Sequence, residues 1–376
     1  MRRLHLFNCS NDLALAQGSK GYIAPKSAIQ MERDLAPLPW WWANEGDAVL
    51  LPQEADRKAA EEFFAPHKQE IIFITEDEGY DTLRKRAGCD FSPSPWGWSH
   101  AAAERFRRIG MPDTLLPDER SIDTMRTLSS REFASEYIVK LLNEVELSQY
   151  RDILAGDKMR FIKNLKELQT PERTIFKSPW SSSGRGVFAA NSLDEPSIRE
   201  KLTGFITRQG GFIADKLYNK ESDFALEYYI SSDGKAHFLG YSVFTAGANG
   251  YYGHNIIAPQ ETLKKIITDS GCPEELLTCL TTVHRTLLTN SLKGLYSGVV
   301  GIDMLTAREK ERVIVHPCIE INLRMNMGVL AMMINKRIKE TTECRLLPPY
   351  KRTFDATVKD SRLHIAPINS RNRERL

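Results

Sequence analysis

Two carboxylates and an amide near the end of the sequence are spaced as ligands for a hard divalent cation. In the stretch VIVHPCIEIN, Glu320 and Asn322 are two residues apart. In a strand such residues share a face, about 7 Å apart at the backbone. The preceding apolar stretch, GVVGIDML, contains Asp303, and the charged segment TAREKER joins the two. With the turn centred near Glu309, Asp303 falls roughly opposite Glu320 and three oxygen-bearing side chains converge. Grouping two carboxylates among Val, Ile, Leu and Met is costly unless a cation or proton compensates. Mg²⁺ prefers oxygen ligands of this kind, shared with substrate phosphates. The alternative is a solvated sheet face with alternating polar residues.

A second constellation is FKSPWSSSGRGVF, where Lys177 ends a strand and the small residues Ser181, Ser182, Ser183, Gly184 and Gly186 follow. Small residues let backbone N–H groups approach phosphate oxygens. The Lys precedes the glycines and no GK[ST] follows, so this is not a Walker A loop. SGRGVF matches part of a kinase glycine-rich loop but lacks its first glycine. Taken alone, the segment is equally a surface turn. A third segment, GFIADKLYNKESDF, runs from a strand into an irregular hinge with alternating charges. Backbone around Lys216 to Tyr218 could meet a purine edge, and Glu221 or Asp223 could hold ribose hydroxyls. The alternative there is an exposed charged loop.

Strands and helices must position these groups. RLHLFN (3–8), AVLLP (48–52) and IIFIT (71–75) read as buried strands, with helical periodicity at 53–65 and, after the Ser99 cap, at 99–109. That alternation argues for an open, largely parallel α/β sheet. Asn8, Ser10, Asn11 and Asp12 follow the first strand, where such sheets carry ligand loops; a capped helix start is the other reading. Trp40, Trp41 and Trp42 are consecutive, as core packing or as a stacking platform. From Ser129 a capped amphipathic helix begins, followed by a charged helical stretch to about Leu168. Strands are expected at 174–177 and 186–190, a helix near 194–203, and a strand–turn–strand pair with Asp-Gly in the turn from 223 to 244. Helices follow at 261–269 and 273–290. TAGANGYYGHN (245–255) is a Gly/Asn-rich loop offering Asn249, His254 and Asn255 to a substrate pocket, though a lone His is commonly structural.

The bulk numbers narrow the class. The chain has 376 residues, 41% hydrophobic and 27% charged, with a net charge of +2, so it is large enough for two or three packed domains. The near-neutral balance gives no broad basic footprint for nucleic acid or anionic membrane, and the short basic tail SRNRERL reads as solvated. The N-terminus is too interrupted for a signal peptide, and no apolar run is long enough to span a bilayer. Six cysteines lie far apart without a CxxC pair. They read as reduced thiols of a cytoplasmic protein.

The order of these pieces resembles the ATP-grasp superfamily over about residues 126 to 335: a Lys-bearing strand, a small-residue loop, an acidic hinge, and paired strands bearing Asp303 and Glu320-Ile321-Asn322-Leu323-Arg324. The resemblance implies an N-terminal open α/β domain (1–125), then an α+β ATP-grasp fold. Its parts would be a helical linker and lid subdomain (126–214), a larger antiparallel-sheet subdomain with the metal site (215–345), and a C-terminal tail (346–376). It also implies residue roles. Lys177 matches the lid lysine at adenine and the α-phosphate, and Ser182, Ser183, Gly184 and Gly186 match the loop covering the phosphates. Asp215 stands where the family usually has a Glu opening the hinge, followed by Lys216 and Tyr218. Asp223, ahead of Glu221, matches the ribose-binding acid. Asp303, Glu320 and Asn322 match the Mg²⁺ ligands, with Mn²⁺ as an alternative ion, and Arg324 matches an arginine facing the transferred phosphate. Arg131, or else Lys158, takes the place of a second basic residue.

The implied activity is an ADP-forming carboxylate–amine ligase: ATP phosphorylates a small-molecule or peptide carboxylate, and an amine, or a thiol, displaces phosphate. Homodimers are common in the superfamily. The alternatives are an ATP-grasp kinase acting on a hydroxyl, a non-catalytic nucleotide-binding regulator, and an unrelated α/β binding protein.

Overall fold

A computed structural model describes residues 1–52, 57–168, 173–181, 186–190, 195–246, 252–338, 343–348 and 353–368. The chain divides into two compact units, one of residues 1–123 and 330–376 and the other of residues 124–329.

The first unit opens with β1 (Arg2–Leu6), α1 (Asn11–Gln17), α2 (Lys26–Asp34), β2 (Ala48–Leu51), α3 (Arg57–Phe64), β3 (Ile72–Thr75), α4 (Gly79–Ala87), β4 (Phe91–Pro95) and α5 (His100–Arg108). The four strands form a parallel sheet in the order β3-β2-β1-β4, as the alternation of strands and helices implies. β2 reads AVLL and is buried at every position, as expected for an inner strand covered on both faces. β4 carries no strand signal because its sequence is FSPSP. Among the described residues it pairs only with β1, and an edge strand tolerates proline because one side of its backbone needs no donors. Ser99 caps α5 as expected, accepting from the Ala102 N–H at 3.3 Å. Trp40 stacks on Phe64 at 4.4 Å, and Trp41 donates its indole N–H to the Leu346 carbonyl at 2.8 Å. These two tryptophans are core packing.

The second unit is entered within α6 (Glu119–Leu128), followed by α7 (Arg131–Leu142). Ser130 is the cap of α7, accepting from the Phe133 N–H at 3.1 Å; such a cap contributes about 1 kcal/mol. The expected charged helix to Leu168 is absent. In its place stand a 3-10 turn at Val145–Tyr150, a short strand β5 (Arg160–Ile162) and another 3-10 turn. Gly156 explains part of the difference: at φ 101° it holds a conformation a helix cannot use.

A four-stranded antiparallel sheet in the order β5-β8-β6-β7 then forms from β5 with β6 (Thr174–Lys177), β7 (Val187–Ala190) and β8 (Phe212–Lys216), crossed by α8 (Pro196–Gln209). Phe176, Phe212 and Ala214 pack with Ile198 and Leu202 of α8. Strand alternation turns Lys177 and Asp215 to the opposite face.

The larger sheet of this unit runs β13-β12-β9-β10-β11, antiparallel wherever its strand pairs are resolved. Its strands are β9 (Lys220–Ile230), β10 (Ala236–Ala246) and β11 (Tyr252–Ile256), then, after α9 (Gln260–Asp269) and α10 (Glu274–Leu292), β12 (Gly298–Glu309) and β13 (Arg312–Asn322). The connection between the last two is tighter than TAREKER suggests. Glu309 already pairs with Arg312, and Lys310 takes φ 57° to close the turn. α10 packs against β9 and β10, and the Tyr228 hydroxyl of β9 donates to the Thr281 carbonyl at 2.9 Å. Tyr228 and the residues in phase with it, Phe224 and Leu226, are wholly buried. The opposite phase of the same strand presents Asp223, Ala225 and Glu227.

The second unit ends within α11 (Met327–Arg337), and the rest of that helix with β14 (Cys344–Arg345), β15 (Phe354–Lys359) and β16 (Arg362–Pro367) completes the first. β15 and β16 form an antiparallel hairpin within residues that carry no element signal in the sequence. The Asp34 carboxylate accepts from the Thr353 and Phe354 N–H groups at 2.8 and 2.9 Å.

Candidate active site

β12 and β13 pair so that Asp303 lies opposite Glu320, as expected from the sequence, and Gly301 opposite Asn322, after a shift in register between Asp303 and Leu305. Asn322 donates from Nδ2 to Asp303 Oδ2 at 3.2 Å and accepts at Oδ1 from the Arg324 guanidinium at 2.9 Å. Glu320 accepts from Arg131 Nη2 at 2.8 Å. Arg131 also donates to the Ser178 carbonyl and to Ser181 Oγ, at 2.7 and 2.8 Å. One patch of the second unit therefore gathers Arg131, Ser181, Asp303, Glu320, Asn322 and Arg324. Burial, then the negative charges of Glu320 and Glu227, hold the Asp303 carboxyl well above its ordinary value.

Lys177 extends the patch. Its ammonium is buried 3.9 Å from Asp215. Burial lowers its pKa, opposed by Asp215. Asp215 accepts from His316 Nε2 at 3.2 Å. Burial raises this carboxyl, but His316 and Lys177 together outweigh it, so the net shift is downward. Tyr218 meets the His316 ring edge-on with centroids 5.8 Å apart, and Lys216 pairs with Glu309 while lying over the Tyr218 ring.

The remaining sequence candidates fall in different places. Asp223 pairs with Lys220 and accepts from the Ala246 N–H at 3.2 Å; burial raises its carboxyl. Glu221 faces Arg308 at 3.7 Å. Lys158 pairs with neighbouring Asp157 and is exposed, whereas Arg131 is buried in the patch. Gly186, at φ 78°, accepts at its carbonyl from the Ser178 N–H, and a Cβ there would stand 2.4 Å from Ser178 Oγ. Ser182, Ser183, Gly184 and Asn249 lie outside the described residues, as does the tail from 369. The His254 ring lies 3.2 Å from Thr245 Oγ1, and Asn255 is buried on β11. In the first unit, Asn8 donates to the Gly97 carbonyl at 2.8 Å and Ser10 starts α1, its N–H donating to Glu32.

Sequence reasoning missed His316, Glu227, Ser178 and Asn326. His316 is in phase with Glu320, four residues upstream. Glu227 is in phase with Asp223 in the apolar run FALEYYI. A lone polar residue at an inward strand position was the available signal for His316 and Glu227.

The donor set suits a hard cation that completes its shell elsewhere. Among the described residues no group of three or more His, Cys, Asp or Glu side chains is arranged as a metal site. Two carboxylates and one amide oxygen would leave positions for phosphate oxygens and water, as Mg²⁺ uses. Among the described residues, the buried Arg131 Nε and His316 Nδ1 have no hydrogen-bond partner. A buried guanidinium N–H without an acceptor is costly, and beside two carboxylates it fits an anion bridged to them by a cation. All six cysteines are free thiols, and no helix among the described residues is long and apolar enough to cross a membrane.

No family model and no curated protein matches the chain. Solved structures do. The chain is similar to Rhizobium etli pyruvate carboxylase at 12% identity and a TM-score of 0.48, covering 89% of this chain and 27% of that one. It therefore spans about a quarter of that protein's length. It is similar to biotin carboxylase from Campylobacter jejuni at 13% identity and a TM-score of 0.45, covering 97% and 86%. It is also similar to an L-amino acid ligase from Bacillus licheniformis at 12% identity and a TM-score of 0.40, covering 95% and 79%.

Proposed function

We propose that the protein is an ADP-forming ligase that uses Mg·ATP to phosphorylate a carboxylate and couples the product to an amine or thiol. The observation that carries this reading is the pairing of Asp303 with Glu320 beside three buried or half-buried cationic side chains, Arg131, Lys177 and Arg324. Opposed carboxylates repel, and a divalent cation between them with phosphates on the surrounding basic groups would account for both sets of charges.

Asp303, Glu320 and Asn322 would hold Mg²⁺, which when bound offsets the charge of the β- and γ-phosphates. Lys177 would face adenine and the α-phosphate, with Asp215, Lys216, Tyr218 and Asp223 along base and ribose. Arg131 would leave Glu320 and turn to phosphate oxygens, together with the loop at 181–186. The substrate carboxylate oxygen attacks the γ-phosphorus, the bond to the β,γ-bridging oxygen breaks, and ADP leaves. Arg324 would stabilise the acyl phosphate. Attack of the amine on the acyl carbon then expels inorganic phosphate and releases a proton. No protein nucleophile is needed, so catalysis is positioning and electrostatics. The domain limits at 125, 214 and 345, a cytoplasmic location and a homodimer belong to the same proposal.

The test is ADP release with a panel of carboxylates and amines, with hydroxylamine as trap. Hydroxamate formation, abolished in Asp303→Ala and Glu320→Ala, is expected. ADP release without hydroxamate and with a phosphorylated hydroxyl would identify a kinase instead. Full activity in both variants would remove the metal assignment.

A further inference from the structure

Glu227 stands on β9 between two glycines, paired with Gly240 of β10 and Gly301 of β12. It is 1% exposed. A Cβ on Gly301 would come within 2.8 Å of one carboxylate oxygen, and a Cβ on Gly328 within 2.3 Å of the other. A carboxylate is thus lodged in a well that only glycines leave open. Each oxygen takes one hydrogen bond: Oε1 from Ser242 Oγ at 2.9 Å and Oε2 from Asn326 Nδ2 at 2.6 Å. Burial pushes this carboxyl up to about 7, against those two hydrogen bonds and the charge of Arg324. An apolar side chain would fill the well at lower cost, so the carboxylate's partners are the place to look for its use.

Asn326 connects Glu227 to the patch. Its Oδ1 accepts from the Val329 N–H at 2.9 Å, capping α11, while its Nδ2 is held by Glu227. Four residues upstream is Asn322, and Arg324 lies midway. Arg324 donates to Asn322 Oδ1 at 2.9 Å and to the Met325 carbonyl at 3.1 Å. The short turn bearing Arg324 is therefore fixed at one end by β13 and at the other by the Glu227–Asn326 hydrogen bond. We infer that Glu227 is a positioning residue, which acts through Asn326 to aim the Arg324 guanidinium at the transferred phosphate. This rests on the proposed role of Arg324.

The probes are Mg·ADP and inorganic phosphate, titrated by calorimetry. Glu227→Leu and Arg324→Ala should each weaken phosphate binding to the Mg·ADP complex tenfold or more, and together no further. In Glu227→Leu, affinity for Mg·ADP itself should stay within twofold. Glu227→Gln, which keeps an acceptor for Asn326, should restore phosphate affinity to within threefold. Asn326→Ser keeps a cap for α11 but is too short to bridge to Glu227; it should reproduce the phosphate defect, and it decides the matter if Glu227→Leu does not fold. Unchanged phosphate affinity in Glu227→Leu or Asn326→Ser overturns this inference alone, as does equal loss of Mg·ADP. A wild-type protein that binds no Mg·ADP overturns the nucleotide reading and this inference with it.

Discussion

Replacing Asp303 with Asn should make the ligand-free protein more stable and at the same time abolish its response to Mg·nucleotide. Directly opposed strand residues lie about 5 Å apart, and like charges at that distance repel by about 3 kcal/mol at an effective dielectric of 20. The Arg131 guanidinium on Glu320 and the Asn322 amide on Asp303 offset part of this. About 1–2 kcal/mol should then be recovered on neutralising Asp303. In a unit of about 200 residues each kcal/mol raises the melting midpoint by about 2–4 °C. The sign depends on pH. Burial and Glu320 raise the folded-state pKa of Asp303 above its unfolded value. Its destabilising effect is therefore absent below about pH 4 and grows as pH rises through the folded-state pKa. The variant should gain over wild type at pH 8 and match it at pH 3.5. Thermal melts at both pH values, with and without Mg²⁺ and a non-hydrolysable ATP analogue, measure this. At a ligand concentration of 100 times Kd, wild type should gain about 2.7 kcal/mol and the variant almost none. An Asp303→Asn variant less stable than wild type at pH 8, or one keeping the full ligand-dependent shift, would refute the reasoning.

Three further outcomes follow from single contacts. Arg131→Met leaves Glu320 without its partner at 2.8 Å and Ser178 and Ser181 without a donor; urea unfolding should show a loss of about 2 kcal/mol, and an unchanged midpoint would contradict it. His284, held neutral by burial with a folded-state pKa of about 3 against 6.5, must be charged in the acid-unfolded chain. Stability should therefore fall as pH drops below the unfolded value, by about 2.5 kcal/mol between pH 6 and 4, and His284→Leu should remove that component of the slope in denaturant titrations at the two pH values. Gly328→Ala places a methyl within 2.4 Å of Glu227 and Ser242 oxygens; a loss of about 1–3 kcal/mol is expected, and a melt matching wild type would show that the well can widen.

The paired strands were legible because their chemistry is periodic. Glu320 and Asn322 are in phase and the turn is local, but counting outward from the Glu309–Arg312 pair sets Asp303 opposite Cys318; a shift in register between Asp303 and Leu305, which leaves no mark in the sequence, moves it to Glu320. The parallel sheet was legible for β1, β2 and β3 from their apolar runs. β4 was not, because two prolines hide a strand that only an edge position permits. The segment 143–168 misled for the opposite reason: its charges resemble a helix surface, but Gly156 and contacts with β13 determine its path, with the Ala155 N–H donating to the Val315 carbonyl at 2.9 Å. His316 and Glu227 escaped because their partners, Asp215 and Asn326, are about a hundred residues away in sequence. Long-range pairings of that kind leave no local pattern.

Calorimetric titration of the wild-type protein with an ATP analogue, with and without Mg²⁺ and repeated on Glu320→Ala, tests the central claim most directly. The account predicts one nucleotide per chain, bound at least tenfold tighter with Mg²⁺, and loss of that Mg²⁺ dependence in the variant. Absence of nucleotide binding, or binding equally tight without the metal and in Glu320→Ala, would contradict it.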